Sequence, residues 1–395
     1  MTLRLEILDP APPAVRHEVL RPTGDLDHAL FRDPGDDHSV FDLSLAEQRR
    51  QAHAYVRDAF ALHVERCPAY AAFVRSSGGE LRLPADYPFE AIPVIPATVF
   101  KRRPVLSVPE HEIERWTLSS GTLGTQSRVP RDRLTLERLL GSVRTGLALI
   151  EEWYEDEVEL VNLGPERAQA GLIWFPYVMS LVELLYPTWH AVHDGRFDPA
   201  ATVAHIAQAL DRTPQVGIVG PPPLLLDMIE SGVRLPGGDR ITIVTAGGWK
   251  RASGRALPRA ELEARACEAF GLTSNRQIRD AFNQAELNTV IMECTAHRKH
   301  VPCWVHATAR DPRTLEILPR GQRGLLSYLD GSAQSYPAFI VSDDVGVVDE
   351  GLCECGREGV FLTLERRVEG RAQRGCALSI DKAYGNHRNQ ETNIQ

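Results

Sequence analysis

The six residues from Ser119 to Gly124, inside W-T-L-S-S-G-T-L-G-T-Q-S, carry three Ser or Thr hydroxyls and two glycines. Backbone N–H groups and hydroxyls of such a loop can hold a phosphate, and glycine admits a close approach that a side chain would block. The stretch lacks the lysine of the pattern G-x-x-x-x-G-K-[ST]. It is either a polar turn or a phosphate loop whose cation comes from elsewhere. Four further stretches carry residue types suited to nucleotide chemistry. T-A-G-G-W-K sets Gly247 and Gly248 after an apolar run and Lys250 after them, though an ordinary strand-to-helix turn reads the same way. D-A-F-N-Q-A-E-L-N puts Phe282 four residues before Glu286, and I-V-S-D-D-V-G places paired acids, the second of them Asp344, before a glycine. V-E-G-R-A-Q-R-G-C brings Arg371 and Cys376 together near the C-terminus.

Seven cysteines, at 67, 267, 294, 303, 353, 355 and 376, are an odd number on a chain with no secretion signal, which points to thiols or metal ligands rather than a disulfide frame. Cys353 and Cys355 form a C-x-C-G turn; Cys294 precedes His297, His300 and Cys303 in M-E-C-T-A-H-R-K-H-V-P-C-W. Zinc takes four N or S ligands in a tetrahedron, and the two clusters can supply them. Separate reduced thiols and a surface histidine pair fit the same residues.

The elements that must position these groups follow from pattern. A chain of 395 residues, 43% hydrophobic, divides into two or three lobes, since single cores stop growing at about 250–300 residues. Its net charge of −9 argues against a nucleic-acid or anionic-membrane surface as main partner. The N-terminus shows acids and prolines where a signal would need an apolar run, so a cytoplasmic protein is expected. The most apolar segment, Ala170 to Tyr186, is interrupted by Pro176, Ser180 and Glu183 and reads as a buried helix, with no membrane span. Leu43 to Phe73 reads as a long helix ended near Pro68 and a short one after it. Asp132 or Thr135 can cap a helix whose Leu136, Leu139, Leu140, Val143 and Leu147 share a face. Val158–Leu163, Val216–Val219 and Ile241–Thr245 read as buried strands alternating with helices, and from about Cys303 strands and turns take over.

In order and spacing, the opening loop and the four stretches resemble the adenylate-forming (acyl-AMP-forming) enzymes, and more closely the acyl-protein synthetases, the luciferin-component ligases of bacterial bioluminescence and their phenylacetate-CoA-ligase-like relatives. The resemblance runs from about Phe41 to Cys376, including I-P-V-I-P-A-T-V-F-K and S-Y-P-A-F-I-V-S-D-D-V-G. It implies an α/β fold, a large adenylate-forming domain with mixed sheets and flanking helices, spanning 41–370. Residues 1–40 are then an N-terminal extension and 371–395 a short tail. Only 395 − 371 = 24 residues follow Arg371, so the mobile C-terminal domain of typical members is expected to be largely absent.

The resemblance also assigns roles. Ser119, Ser120, Gly121, Thr122 and Gly124 match the ATP phosphate loop, Phe282 the aromatic stacked on adenine, Glu286 the acid that coordinates Mg²⁺, Asp344 the ribose-hydroxyl acid and Arg371 its companion. Gly247 and Gly248 belong to the nucleotide site; on spacing alone, Lys250 either supplies the missing cation or faces solvent. Two departures stand out: Phe282-Asn283 where the motif usually reads Tyr-Gly, and Gln373 where many members carry a hinge Asp. Relatives pair a similar Cys…His with C-x-C-G, which favours Cys294, His300, Cys353 and Cys355 as a structural zinc site, His297 and Cys303 in reserve. The C-terminal cysteine of the acyl-protein synthetases accepts the acyl group from acyl-AMP and passes it to a reductase subunit; Cys376 matches it. The expected enzyme is thus an ATP-dependent ligase acting on a carboxylic, possibly fatty, acid with an acyl-accepting protein or reductase as partner. Transfer to coenzyme A, a carrier or an amine, and a non-catalytic nucleotide-binding subunit, are the competing readings.

Overall fold

The described chain builds two six-stranded sheets. The structure is a computed structural model describing residues 25–31, 39–84, 86–120, 126–150, 153 and 157–367, with the backbone alone at 25, 250, 251, 366 and 367. Its strands are β1 (Ile95–Pro96), β2 (Ile113–Leu118), β3 (Arg128–Asp132), β4 (Val158–Asn162), β5 (Thr188–His190), β6 (Val192–His193), β7 (Arg196–Phe197), β8 (Gln215–Gly220), β9 (Ile241–Ala246), β10 (Ile278–Phe282), β11 (Ile291–Met292), β12 (Lys299–Val301), β13 (Val305–Arg310), β14 (Arg323–Asp330), β15 (Phe339–Leu352) and β16 (Glu358–Arg367). Its α-helices are α1 (Asp25–Phe31), α2 (Leu45–Arg66), α3 (Pro68–Ser76), α4 (Arg133–Leu147), α5 (Trp174–Ser180), α6 (Pro199–Arg212), α7 (Pro222–Glu230) and α8 (Arg259–Phe270).

One sheet runs β11-β10-β9-β8-β4-β5, parallel except for the antiparallel edge strand β11. Strand β9 is buried along its whole length, as expected of a parallel strand covered on both faces. Helices α6 to α8 pack their apolar residues on this sheet in a cluster containing Ile206, Leu225, Ile243 and Phe270. The second sheet runs β12-β16-β15-β14-β13, antiparallel, with β1 added in parallel to β15. A separate hairpin pairs β2 with β3, and the phosphate-like loop is its connection.

The helix signals behave as their chemistry requires. Ser44 caps α2 by accepting from the Glu47 N–H, and Pro68 opens α3 at a position where its missing N–H costs nothing. Asp132 caps α4 through the Thr135 N–H. The helix expected over Ala170–Tyr186 does not form as one piece. Left-handed Gly171 (φ +62°) precedes α5, and Pro176 sits in its first turn, where proline is tolerated; a short 3₁₀ turn, Leu181–Leu184, ends the segment. Leu172 is left half exposed. Among the described residues no helix is long and apolar enough to cross a membrane.

Candidate functional site

The β2–β3 hairpin is closed at its neck by three hydrogen bonds. Ser119 N–H donates to the Ser127 carbonyl (3.0 Å), Ser127 N–H donates to Ser119 Oγ (2.9 Å), and Gln126 Nε2 donates to the Ser119 carbonyl (2.8 Å). The neck fixes where the loop leaves and re-enters the hairpin. Ser119 and Ser120 are half-buried there; Gly121, Thr122 and Gly124 lie outside the described residues.

Strands β9 and β10 end side by side. Their register pairs Ala246 with Ala281, so Gly247 and Phe282 follow as neighbours at the carboxyl end of the parallel sheet, where ligands of open α/β sheets bind. Gly247 and Gly248 are both left-handed (φ +77° and +60°). A Cβ at Gly247 would stand 2.4 Å from the Phe175 ring, so this position needs glycine for backbone and space alike. Gly247→Ala is expected to lower unfolding free energy by roughly 1–2 kcal/mol from the left-handed backbone alone, more with the clash. Urea denaturation checks it; an unchanged midpoint would contradict this packing. Lys250 opens a 3₁₀ turn, Lys250–Arg255, just beyond the glycines, and its side chain lies outside the described residues.

After Phe282 the chain turns back on itself, and Asn283 holds the turn. Its Nδ2 donates to the Leu287 carbonyl (3.2 Å) and the Thr289 carbonyl (2.7 Å), while its Oδ1 accepts from the Trp174 indole. Asn283 is not among the residues with positive φ, so the glycine usual at this position is not required by the backbone here. Glu286 lies on this turn, 3% exposed.

Beside Glu286 sits Arg131, which no motif marked. It is fully buried, its guanidinium 3.7 Å from the centre of the Trp174 ring. It donates to Asn288 Oδ1 (3.2 Å), the Ala285 carbonyl (2.7 Å), Tyr336 Oη (3.2 Å) and Thr117 Oγ1. Burial pulls its pKa down, and the charges of Glu286 and Asp330 are among those that oppose the shift. One cation therefore ties the β2–β3 hairpin, the Glu286 turn and the S-Y-P segment together. The only trace in the sequence is R-V-P-R-D, in which Arg131 falls between buried Pro130 and Asp132.

Asp344 lies on β15, paired with Arg367 on β16. Its charge, after burial, adds to the upward shift of the Tyr328 hydroxyl, and the Tyr328 ring stands 6.1 Å from that of Phe282. Phe282 and Asp344 thus face one region between the two sheets. Arg371, Gln373 and Cys376 lie outside the described residues.

The two soft-ligand clusters meet. Cys294 and His300 come from the β11–β12 hairpin, Cys353 and Cys355 from the β15–β16 turn, and the four ligand atoms lie within 4.8 Å of one another. Cys294 Sγ is 3.8 Å from Cys353 Sγ, and Cys355 Sγ 3.5 Å from His300 Nε2. Bonds of about 2.3 Å to sulfur and about 2.0 Å to nitrogen give tetrahedral edges of roughly this length, so the cluster fits a zinc ion. Burial, with Arg357 and Arg298 nearby, pushes His300 down to about 4, which keeps its lone pair available at neutral pH. The reserves are engaged elsewhere: His297 Nδ1 is 2.6 Å from Arg259 Nη2, and the Cys303 thiol donates to Gln51 Oε1 (3.2 Å).

Comparison with known proteins shows the family and the fold. The family profile "Acyl-protein synthetase, LuxE" matches residues 26–385. The long-chain-fatty-acid–luciferin-component ligase of Vibrio harveyi is 42% identical over 376 residues, covering 94% of this chain and 97% of the relative. The protein of the same name from Aliivibrio fischeri is 43% identical over 341 residues, covering 85% and 89%. Among solved structures, an open conformation of 2-hydroxyisobutyryl-CoA ligase superposes with a TM-score of 0.63 over 88% of this chain and 76% of that one, at 17% identity, which shows a shared fold. The chain belongs to the acyl-protein synthetase (LuxE) family and is a ligase.

Proposed function

We propose that this ligase activates a long-chain carboxylic acid as acyl-AMP, with ATP and Mg²⁺, and then carries the acyl group as a thioester on Cys376 for a partner enzyme. The named activity of the two relatives and the hairpin, turn and strand gathered by Arg131 support the first half. A carboxylate oxygen attacks the α-phosphorus of ATP and pyrophosphate leaves. In this reading, Ser119, Ser120, Gly121, Thr122 and Gly124 hold the phosphates, Phe282 stacks on adenine against Gly247 and Gly248, and Asp344 and Arg371 take the ribose. Mg²⁺, held by Glu286, would offset charge building on the phosphates. Arg131, engaged in hydrogen bonds to protein groups, keeps Glu286 and the hairpin in register; Lys250 is the candidate mobile cation. The Cys376 thiolate then attacks the acyl carbonyl and AMP leaves, two easier steps in place of one hard one.

The experiment is ATP–pyrophosphate exchange with a panel of acids. Exchange that requires a long-chain acid supports the reading; exchange with none, from folded protein, rejects it. Transfer to coenzyme A or a carrier in the same assay, with Cys376 unlabelled, would place the acceptor outside the chain.

Zinc is the second part of the proposal, held by Cys294, His300, Cys353 and Cys355 and joining the edge strands of the two sheets. Protein prepared without chelator is expected to contain about one zinc per chain, and Cys353→Ser to lose it together with thermal stability, because structural zinc binding is coupled to folding. Metal analysis and a melting curve read both; a metal-free wild type that melts like the loaded protein would reject the site.

A further inference from the structure

Each residue preceding a ligand of the β11–β12 hairpin is a buried charge. Glu293 precedes Cys294, Lys299 precedes His300, and the two face each other across an isolated bridge. Lys299 Nζ lies 2.6 Å from Glu293 Oε1 and 2.8 Å from Asp280 Oδ2. The Asp280 N–H donates to Glu293 Oε2 (2.9 Å), and the Glu293 N–H donates back to the Asp280 carbonyl (3.1 Å). Arg259 of α8 grips the same Glu293 with both terminal nitrogens at 2.7 Å. On its other side, Asp280 Oδ1 accepts from the Thr245 hydroxyl at 2.8 Å. Asp280 stands two residues before Phe282 on β10, and Thr245 two residues before Gly247 on β9.

Such a network is costly to build from buried ions and fixes geometry once complete. A core made only to be stable would fill the space between hairpin and strand with apolar side chains at less cost. Charge pairs instead set direction and spacing between the Cys/His hairpin and the two strand ends.

We propose that Lys299 and Glu293 are positioning residues for the nucleotide site: through Asp280 and Thr245 they lock the carboxyl ends of β9 and β10, and with them Gly247 and Phe282, to the rigid Cys/His hairpin. This rests on the reading of Gly247 and Phe282 as the adenine site. A displacement of about 1 Å at a binding surface can cost up to about a hundredfold in function.

The test is equilibrium binding of ATP, which does not depend on the chemistry that follows. Lys299→Met is expected to weaken ATP binding by about tenfold or more, with binding of a long-chain acid unchanged and one zinc retained per chain; Lys299→Arg, which keeps the charge, should recover most of the affinity. A merely structural lysine would lower stability while leaving the affinity of the folded fraction alone. If Lys299→Met does not fold, Thr245→Val, the same shape without the hydroxyl, takes its place, with an expected loss of about three- to tenfold. Wild-type ATP affinity in the folded variant, or equal loss for ATP and acid, would overturn the proposal. Wild-type protein that binds ATP but yields no AMP and pyrophosphate would instead overturn the adenylation reading, which separates the two failures.

Discussion

Cys376→Ser is expected to form acyl-AMP and exchange pyrophosphate as the unaltered protein does, while losing every trace of covalent acyl group. Adenylation in the proposed site uses the hairpin loop, Glu286, Asp344 and Arg371, none of which needs the thiol. Transfer does need it, because the thiolate is the nucleophile and a serine hydroxyl is far less acidic. Arg371 and Arg374 flank Cys376 in sequence and favour the thiolate where they approach it. Intact-mass measurement after incubation with ATP, Mg²⁺ and a long-chain acid should find a hydroxylamine-labile adduct on the unaltered chain and none on the variant. An adduct that persists on Cys376→Ser would move the acceptor to another residue. Cys67 and Cys294 are poor alternatives, since burial pushes their thiols up to about 11 and about 12.

Glu286→Gln is expected to reduce exchange by about 10²–10³-fold, the loss typical when one preorganised electrostatic group is removed from a reacting centre. The substitution keeps the volume of a buried side chain, so the fold should survive. Arg131 feels the Glu286 charge and would lose that neighbour while keeping the charge of Asp330 and its hydrogen bond to the Tyr336 hydroxyl. Kinetics at saturating ATP separate a chemical loss from a binding loss. Exchange within about twofold of wild type would remove Glu286 from the metal-binding role, since losing a group of this kind costs far more.

How far the chain could be read without coordinates depended on the range of the interaction. Pro68 ending α2, Asp132 capping α4 and the short β-branched run of β9 are local events, and each was legible. The two soft-ligand clusters were legible as pairs, but the choice of Cys294, His300, Cys353 and Cys355 over His297 and Cys303 came from the resemblance, since spacing alone fitted separate thiols as well; the structure brings those four together. The Ala170–Tyr186 segment reads as one helix on apolar content, but left-handed Gly171 keeps its start out of α5 and its end tightens into a 3₁₀ turn. Arg131 and Lys299 escaped notice for another reason. Their partners come from β10, the turn after it, Tyr336 and Glu293, positions that only strand register brings within hydrogen-bond reach. A buried cation looks like any surface arginine or lysine until the sheet is assembled around it. Of the motif departure Phe282-Asn283, the asparagine is explained by its amide bracing the turn.

Oxygen tracing shows whether the acid is activated through a bond to the α-phosphorus. The acid is supplied with both carboxylate oxygens labelled, and the nucleotide products are analysed by mass after complete turnover. Attack of the carboxylate on the α-phosphorus, followed by cleavage at the acyl carbon, must leave one labelled oxygen in AMP and none in pyrophosphate. Unlabelled AMP, or ADP with the label in inorganic phosphate, would contradict acyl-AMP formation by this chain.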